Sequence, residues 1–167
     1  MSHIRNIDTK PELTLRHELC HRGFRYRIND KKLPGKPDIV LPKYKTVIFI
    51  HGCFWHGHHG CRKFVLPKTN KDYWMAKISR NQERDQNVWR QLEAKGWYVL
   101  IVWGCELEKN TFNSTVDSLV SEILSNEATI LEQSKKRKEN RDAYLHLLKE
   151  HAEREKQLLE ELSNVVQ

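Results

Sequence analysis

Leu13, Leu15, Leu19 and Cys20 recur at roughly helical spacing, which predicts a helix. Thr9 and Glu12 are spaced as a capping box, Pro11 suits a first turn, and Gly23 can close the helix. Phe24 to Ile28 then alternates aromatic or apolar residues with arginine, the pattern of a strand. A turn follows at Leu33-Pro34-Gly35-Lys36-Pro37. Asp38-Ile39-Val40-Leu41 reads as a second strand, opening on a carboxylate. Thr46 to Ile50, apolar almost throughout, reads as a buried third. Residues 51–61 have no periodicity. A helix starts near Asn70 and carries Tyr73, Trp74 and Ile78; a second helical stretch runs from Gln82 to Lys95 and stops at Gly96. "WYVLIVW", Trp97 to Trp103, is a strongly apolar strand. Ser114 to Glu132 is a helix with Val116, Leu119, Val120, Ile123 and Leu124 on one face. Helix, three strands, helix, strand, helix predicts an α/β fold with a mixed sheet flanked by helices.

The pattern changes at Ser134. A basic cluster, "KKRK" at 135–138, precedes Leu145, Leu148, Ala152, Leu159, Leu162 and Val166, which keep a heptad rhythm broken at Glu155. This predicts a long C-terminal helix of about three heptads, which either pairs with another copy as a dimer or packs back on its own domain. The expected organisation is a domain over 1–133 and a basic, heptad-patterned helical extension over 134–167.

Charge and composition narrow the partners. The chain has 167 residues and a formal charge of +7. That is enough for one domain with a real core, and it favours acidic partners, with nucleic acid ahead of an acidic membrane surface. No apolar run approaches the ~20 residues of a membrane span, and Met1 to Leu13 has no signal-peptide core. An intracellular, reducing location is expected, where clustered cysteines point to metal rather than disulfides.

The stretch "HGCFWHGHHGC", residues 51–61, then becomes the centre of the chemistry. Cys53, His58 and Cys61 form C-x4-H-x2-C, and Cys105, just after the last strand, can supply a fourth ligand to a structural zinc. His59 could replace His58 in that set. A zinc closed by four protein ligands is not a catalyst. His51, His56 and Asp38 remain. Asp38, at the start of a strand after a Pro-Gly turn, can hold a hard cation such as Mg²⁺, and His56 can move a proton near neutral pH. Phe54 and Trp55, set between glycines and polar ligands, and Trp74 are candidates for stacking on bases, each worth roughly 1–3 kcal/mol. Trp97 and Trp103 are assigned to core packing, and Cys20 to no site.

Several segments together, "TKPELTLR", "LPGKPDIV", "VIFIHGCFWHGHHGC", "LPKTNKDYW", "NQERD" and "GWYVLIVWGCEL", resemble the very-short-patch repair (Vsr) endonucleases over about residues 1–108. The resemblance implies a restriction-endonuclease-like core. It also implies a bacterial, DNA-associated enzyme of the cytoplasm that uses Mg²⁺ to nick DNA 5′ to the thymine of T:G mismatches left by deaminated 5-methylcytosine. Double-stranded mismatched DNA and mismatch-repair proteins are the implied partners. Residue by residue, Asp38 matches the Mg²⁺-binding aspartate, with the main-chain carbonyl of Ile50 as a second ligand. Threonine is common at the position of Ile50, but the carbonyl does not depend on the side chain. His56 matches the catalytic histidine, His51 a nearby active-site histidine, and Glu12 and Asp85 supporting acidic positions. Phe54, Trp55 and Trp74 match the intercalating aromatics, and Cys53, His58, Cys61 and Cys105 the zinc ligands. Two other readings stand beside a repair nuclease: a related sequence-specific nuclease of restriction or defence, and a non-enzymatic zinc-dependent DNA-binding module. The flanking bases recognised and the paired methyltransferase are not legible.

Overall fold

The computed structural model describes residues 9–28 and 30–165, apart from the side chains of 152, 155 and 158–165. Residues 1–8 of the polar N-terminus and the heptad position Val166 lie outside the described residues, as do the side chains of Ala152, Leu159 and Leu162. By internal packing the chain divides into one unit over Met1–Glu127 and a second over Ala128–Gln167.

In the first unit, α1 (Lys10–His21) leads to β1 (Ile39–Leu41), a short 3-10 turn (Pro42–Tyr44), β2 (Thr46–His51), α2 (Lys71–Ala94) and β3 (Tyr98–Trp103). The last helix, α3 (Phe112–Val165), begins in this unit and ends in the second. The sheet has the order β1-β2-β3, with β1 antiparallel and β3 parallel to β2. It is therefore the mixed sheet flanked by helices that the sequence pattern predicts.

Alternation along the strands separates two apolar faces. Ile39, Leu41 and Ile48 pack with Leu15 and Leu19 of α1 and Val116, Leu119 and Ile123 of α3. Val40, Val47 and Phe49 pack on the other face with Leu92 of α2, covered by Trp97 and Val99. Full burial of side chains such as Leu15, Ile48 and Leu92 is worth roughly 1.5–3 kcal/mol each. Among the described residues no helix is long and apolar enough to cross a membrane.

Four expectations about elements change. Phe24 to Ile28 is not a strand. Burial alternates only from Phe24 to Arg27 and fails at Ile28, which is 47% exposed; β1 offers only three residues, and the segment makes a single bridge, Arg27 to Val40. The two helices expected over 70–95 are one helix, α2, and that over 114–132 and the described part of that over 145–166 belong to α3; neither helix has an internal glycine or proline. Leu124 is 48% exposed rather than in the core. At about 100° per residue it stands some 80° round the helix from Val116, beyond the buried stripe. Thr9 is the N-cap residue of α1, but its hydroxyl donates to Glu12 Oε1 at 2.7 Å and caps no backbone amide.

Candidate active site and metal centre

Strand direction gathers the site. β1 runs antiparallel to β2, so the residue that enters β1, Asp38, lies near the end of β2, beside Phe49 and Ile50. The carbonyls of Lys45 and His51 accept from Tyr98 and Gly104 on the β3 side. Alternation therefore turns the amide and carbonyl of Ile50 toward β1. The amide donates to Asp38 Oδ2 at 2.7 Å. Asp38 and the Ile50 main chain thus form an oxygen-rich cradle, the donor chemistry of a hard cation.

Glu12 stands behind this cradle. Arg16, buried on α1, donates through Nη2 to Glu12 Oε2 at 3.2 Å and to the Asp38 carbonyl at 3.1 Å, tying helix to strand. Burial pushes the Asp38 carboxyl up to about 6; the Ile50 amide opposes the shift, Glu12 adds to it, and the charges of Arg16 and His56 oppose it. A cation in the cradle would favour the charged form.

His56 lies across the same cleft, with Nδ1 2.5 Å from Asp85 Oδ2. Burial alone would raise the Asp85 carboxyl, but the bonds from His56 and Arg84 hold it below the usual range. With Nδ1 engaged, Nε2 is the nitrogen left to exchange a proton. The His51 ring stacks on His56 at 3.7 Å. Burial, then the charge of His56, push the buried His51 down to about 4, so it is neutral at neutral pH. The cleft has a volume of about 1020 Å³, and Glu12, Asp38, His51, His56 and Asp85 all line it.

α2 fixes the loop that carries His56. Asn81 Nδ2 donates to the Trp55 carbonyl at 2.9 Å and Gln82 Nε2 to the His56 carbonyl at 3.1 Å. Gly57, at φ +67°, lets α2 approach: a Cβ there would stand 2.5 Å from Gln82 Nε2 and 2.9 Å from Ile78 Cγ2. Asn81 and Gln82 lie in the "NQERD" segment, but sequence reading assigns a role there to Asp85 alone. Their roles depend on the loop that this helical turn meets.

On the cleft rim Phe54, Trp55 and Trp74 form one cluster. Ring centroids lie 5.2 Å apart for Phe54 and Trp55, 5.5 Å for Phe54 and Trp74, and 6.0 Å for Trp55 and Trp74. Trp55 is 38% exposed, and the Lys77 ammonium sits 5.3 Å from its ring centroid. Phe54 and Trp74 beside Trp55 are half-buried, and an exposed aromatic beside a cation suits nucleic acid.

The parallel strands β2 and β3 end together, so Cys53 and Cys105, just past those ends, come close. Ligand atoms of Cys53, His58, Cys61 and Cys105 all lie within 4.8 Å of one another. Cys105 Sγ is 3.4 Å from His58 Nδ1, close to the ~3.5 Å edge of a tetrahedron with zinc–thiolate and zinc–imidazole bond lengths. Burial, and then Cys53 and Cys61 beside it, push the Cys105 thiol up to about 12. A cation among these sulfurs would favour the ionised form of Cys105. The cluster can therefore hold a metal, and its donor set fits zinc. His59 is exposed, its ring against Phe64, and Cys20 is exposed on α1. Trp103 is not a simple core residue: it stacks on His58 at 4.0 Å and meets His51 edge-on at 5.5 Å, touching both clusters. Trp97 packs against the core as expected.

Comparison with known proteins agrees with this geometry. Residues 1–63 match the family described as DNA mismatch endonuclease Vsr. The chain is 51% identical over 124 residues to the type II nicking enzyme V.NmeAIP of Neisseria meningitidis, covering 74% of this chain and 88% of that protein. It is 50% identical over 107 residues to the type II nicking enzyme V.XorIIP of Xanthomonas oryzae, covering 64% and 78%. It is 46% identical over 107 residues to the DNA mismatch endonuclease Vsr of Escherichia coli strain K12, covering 64% and 68%. With its mixed sheet, its acid–histidine cleft and these relatives, the chain belongs to the Vsr family of DNA endonucleases.

Proposed function

We propose that this endonuclease depends on Mg²⁺ and nicks one DNA strand 5′ to the thymine of a T:G mismatch, the product of 5-methylcytosine deamination, to start very-short-patch repair in the bacterial cytoplasm. The observation that carries the reading is the shared cleft: the Asp38–Ile50 cradle and the Asp85-bound His56 face one space, with an aromatic cluster on its rim. Asp38 and the Ile50 carbonyl would hold Mg²⁺, which supplies polarisation of the phosphodiester and neutralises developing charge. His56, oriented by Asp85 and stacked on neutral His51, takes the proton of the attacking water through Nε2. Glu12, through Arg16, fixes the strand that carries Asp38. The products are a 3′-hydroxyl and a 5′-phosphate.

The Cys53, His58, Cys61 and Cys105 cluster is proposed as a closed structural zinc that holds the 52–61 loop in place. Phe54, Trp55 and Trp74 enter the duplex beside the mismatch. Unstacking a base step costs a few kcal/mol, and a mismatch is already weakened, so insertion is cheapest there. That argument selects mismatched over paired DNA; the choice of T:G rests on the family resemblance of the sequence, and the E. coli relative's name supports mismatch cleavage alone. Mismatch-repair proteins as partners, and self-association through the C-terminal helix, belong to the same reading.

A second reading is favoured by names: several relatives are called type II nicking enzymes, which points to a nuclease tied to restriction. A DNA-binding module without catalysis is disfavoured, since it would need neither the cradle nor the His56–Asp85 pair. The deciding experiment is nicking of end-labelled duplexes carrying T:G, other mismatches or perfect pairing, in several sequence contexts. Preferred nicking of T:G is expected. Trp55→Ala should reduce discrimination between mismatched and paired duplexes more than it reduces binding. Equal cleavage of T:G and perfect duplex defeats the repair reading and leaves the restriction-type nuclease.

A further inference from the structure

The second unit is a helix with no described side chain buried. Its backbone is helical from Ala128 to Val165, yet Leu131 is 64% exposed, Leu145 48% and Leu148 47%. Isolated helices are marginal in water and draw most of their stability from a packed apolar face. A heptad rhythm, interrupted by polar and charged residues, runs along this stretch. One seam position holds Leu131, Lys138, Leu145, Ala152 and Leu159; the other holds Ser134, Arg141, Leu148, Glu155 and Leu162.

The charges on that seam determine the partner and its direction. In a parallel pair of identical helices, Lys138 would meet Lys138 of the other copy, Arg141 would meet Arg141, and Glu155 would meet Glu155. All three layers would set like charge against like. In an antiparallel pair the two seam positions face each other. Setting Leu145 against Leu148 of the second copy then places Leu131 against Leu162, Lys138 against Glu155, Ala152 against Arg141 and Leu159 against Ser134. Symmetry repeats each layer, so the four central leucines are flanked by two Lys–Glu pairs and no seam layer joins like charges. We infer that α3 pairs with a second copy of this chain as an antiparallel two-stranded coiled coil, centred on Leu145 and Leu148 and registered by Lys138 against Glu155 of the other copy. This deepens the self-association named above and does not rest on the nuclease chemistry.

Charge reversal in the full chain tests it. Sedimentation of the wild type at micromolar concentration should show dimer. K138E and E155K, made singly, each place like charges in two layers and should raise the dimer dissociation constant about tenfold or more. The double reversal should restore it. Helical circular dichroism and bound zinc, measured on each variant, report whether the fold is retained. In a parallel coil the double reversal would restore nothing, because each layer would still join like charges. A monomer throughout the micromolar range overturns the inference, as does dimerisation indifferent to both single changes or a tail whose only effect is on DNA binding.

Discussion

Asp38 is held charged at a cost. Its carboxyl is pushed up to about 6 chiefly by burial, so the folded chain binds that proton more tightly than the unfolded chain, whose aspartates titrate near 4. For a raised group, the stability it contributes is fully present at low pH and is lost as pH rises toward and through about 6. Asp38→Asn removes that loss. The variant should melt several degrees above metal-free wild type at pH 7, the gap should shrink toward pH 4, and Mg²⁺ should narrow it by stabilising only the wild type. The same variant should abolish nicking while binding DNA almost normally. Nicking at near wild-type rates would show that another carboxylate holds the metal. Much at this scale is legible in the sequence because chemistry marks it: a carboxylate opening a strand, and cysteines and histidines packed into eleven residues. Arg16, Asn81 and Gln82 are not marked, because their roles exist only where one element meets another.

At the scale of elements, the ends of β2 and β3 carry the loop and the fourth member of the Cys–His cluster, and α2 clamps the loop from the side. Cys105→Ala removes the one cluster member outside the loop. Protein purified without added metal should contain about one zinc per chain, and the variant should lose most of it together with thermal stability, since structural zinc contributes folding free energy. Full stability without bound zinc would remove the metal from the account. Sequence periodicity located β2, β3 and, apart from Leu124, the buried face of α3 because burial imposes it. It split α2 because the middle of that helix turns Asn81, Gln82 and Asp85 toward the cleft and its loop, so the apolar rhythm fades where function begins. It made a strand of Phe24 to Ile28 because residue types alternate there, while Ile28 is exposed and ladder length depends on a partner that is only three residues long.

For the whole molecule, the formal charge of +7 and the Lys135–Lys138 cluster make salt a probe of the extension. Truncation after Gln133 should leave the nuclease core folded, as judged by melting and zinc content. It should weaken DNA binding mainly at low salt, because phosphate contacts are screened as salt rises. Unchanged affinity at low salt would place the DNA contacts elsewhere. The expected division of the chain at residue 133 remains to be read from that variant, whereas packing alone separates the units at Glu127.

The position of Cys105 has a consequence in time. Cys53, His58 and Cys61 are synthesised long before Cys105, and they meet it only after β3 has formed beside β2 across α2. Such non-local pairing is slow, because the closure entropy of the intervening chain must be met first. The Cys–His cluster beside the loop that carries His56 is therefore complete only once β3 is in place, and a nascent chain cut short before Cys105 would hold every acid and histidine of the cleft without the fourth member of that cluster.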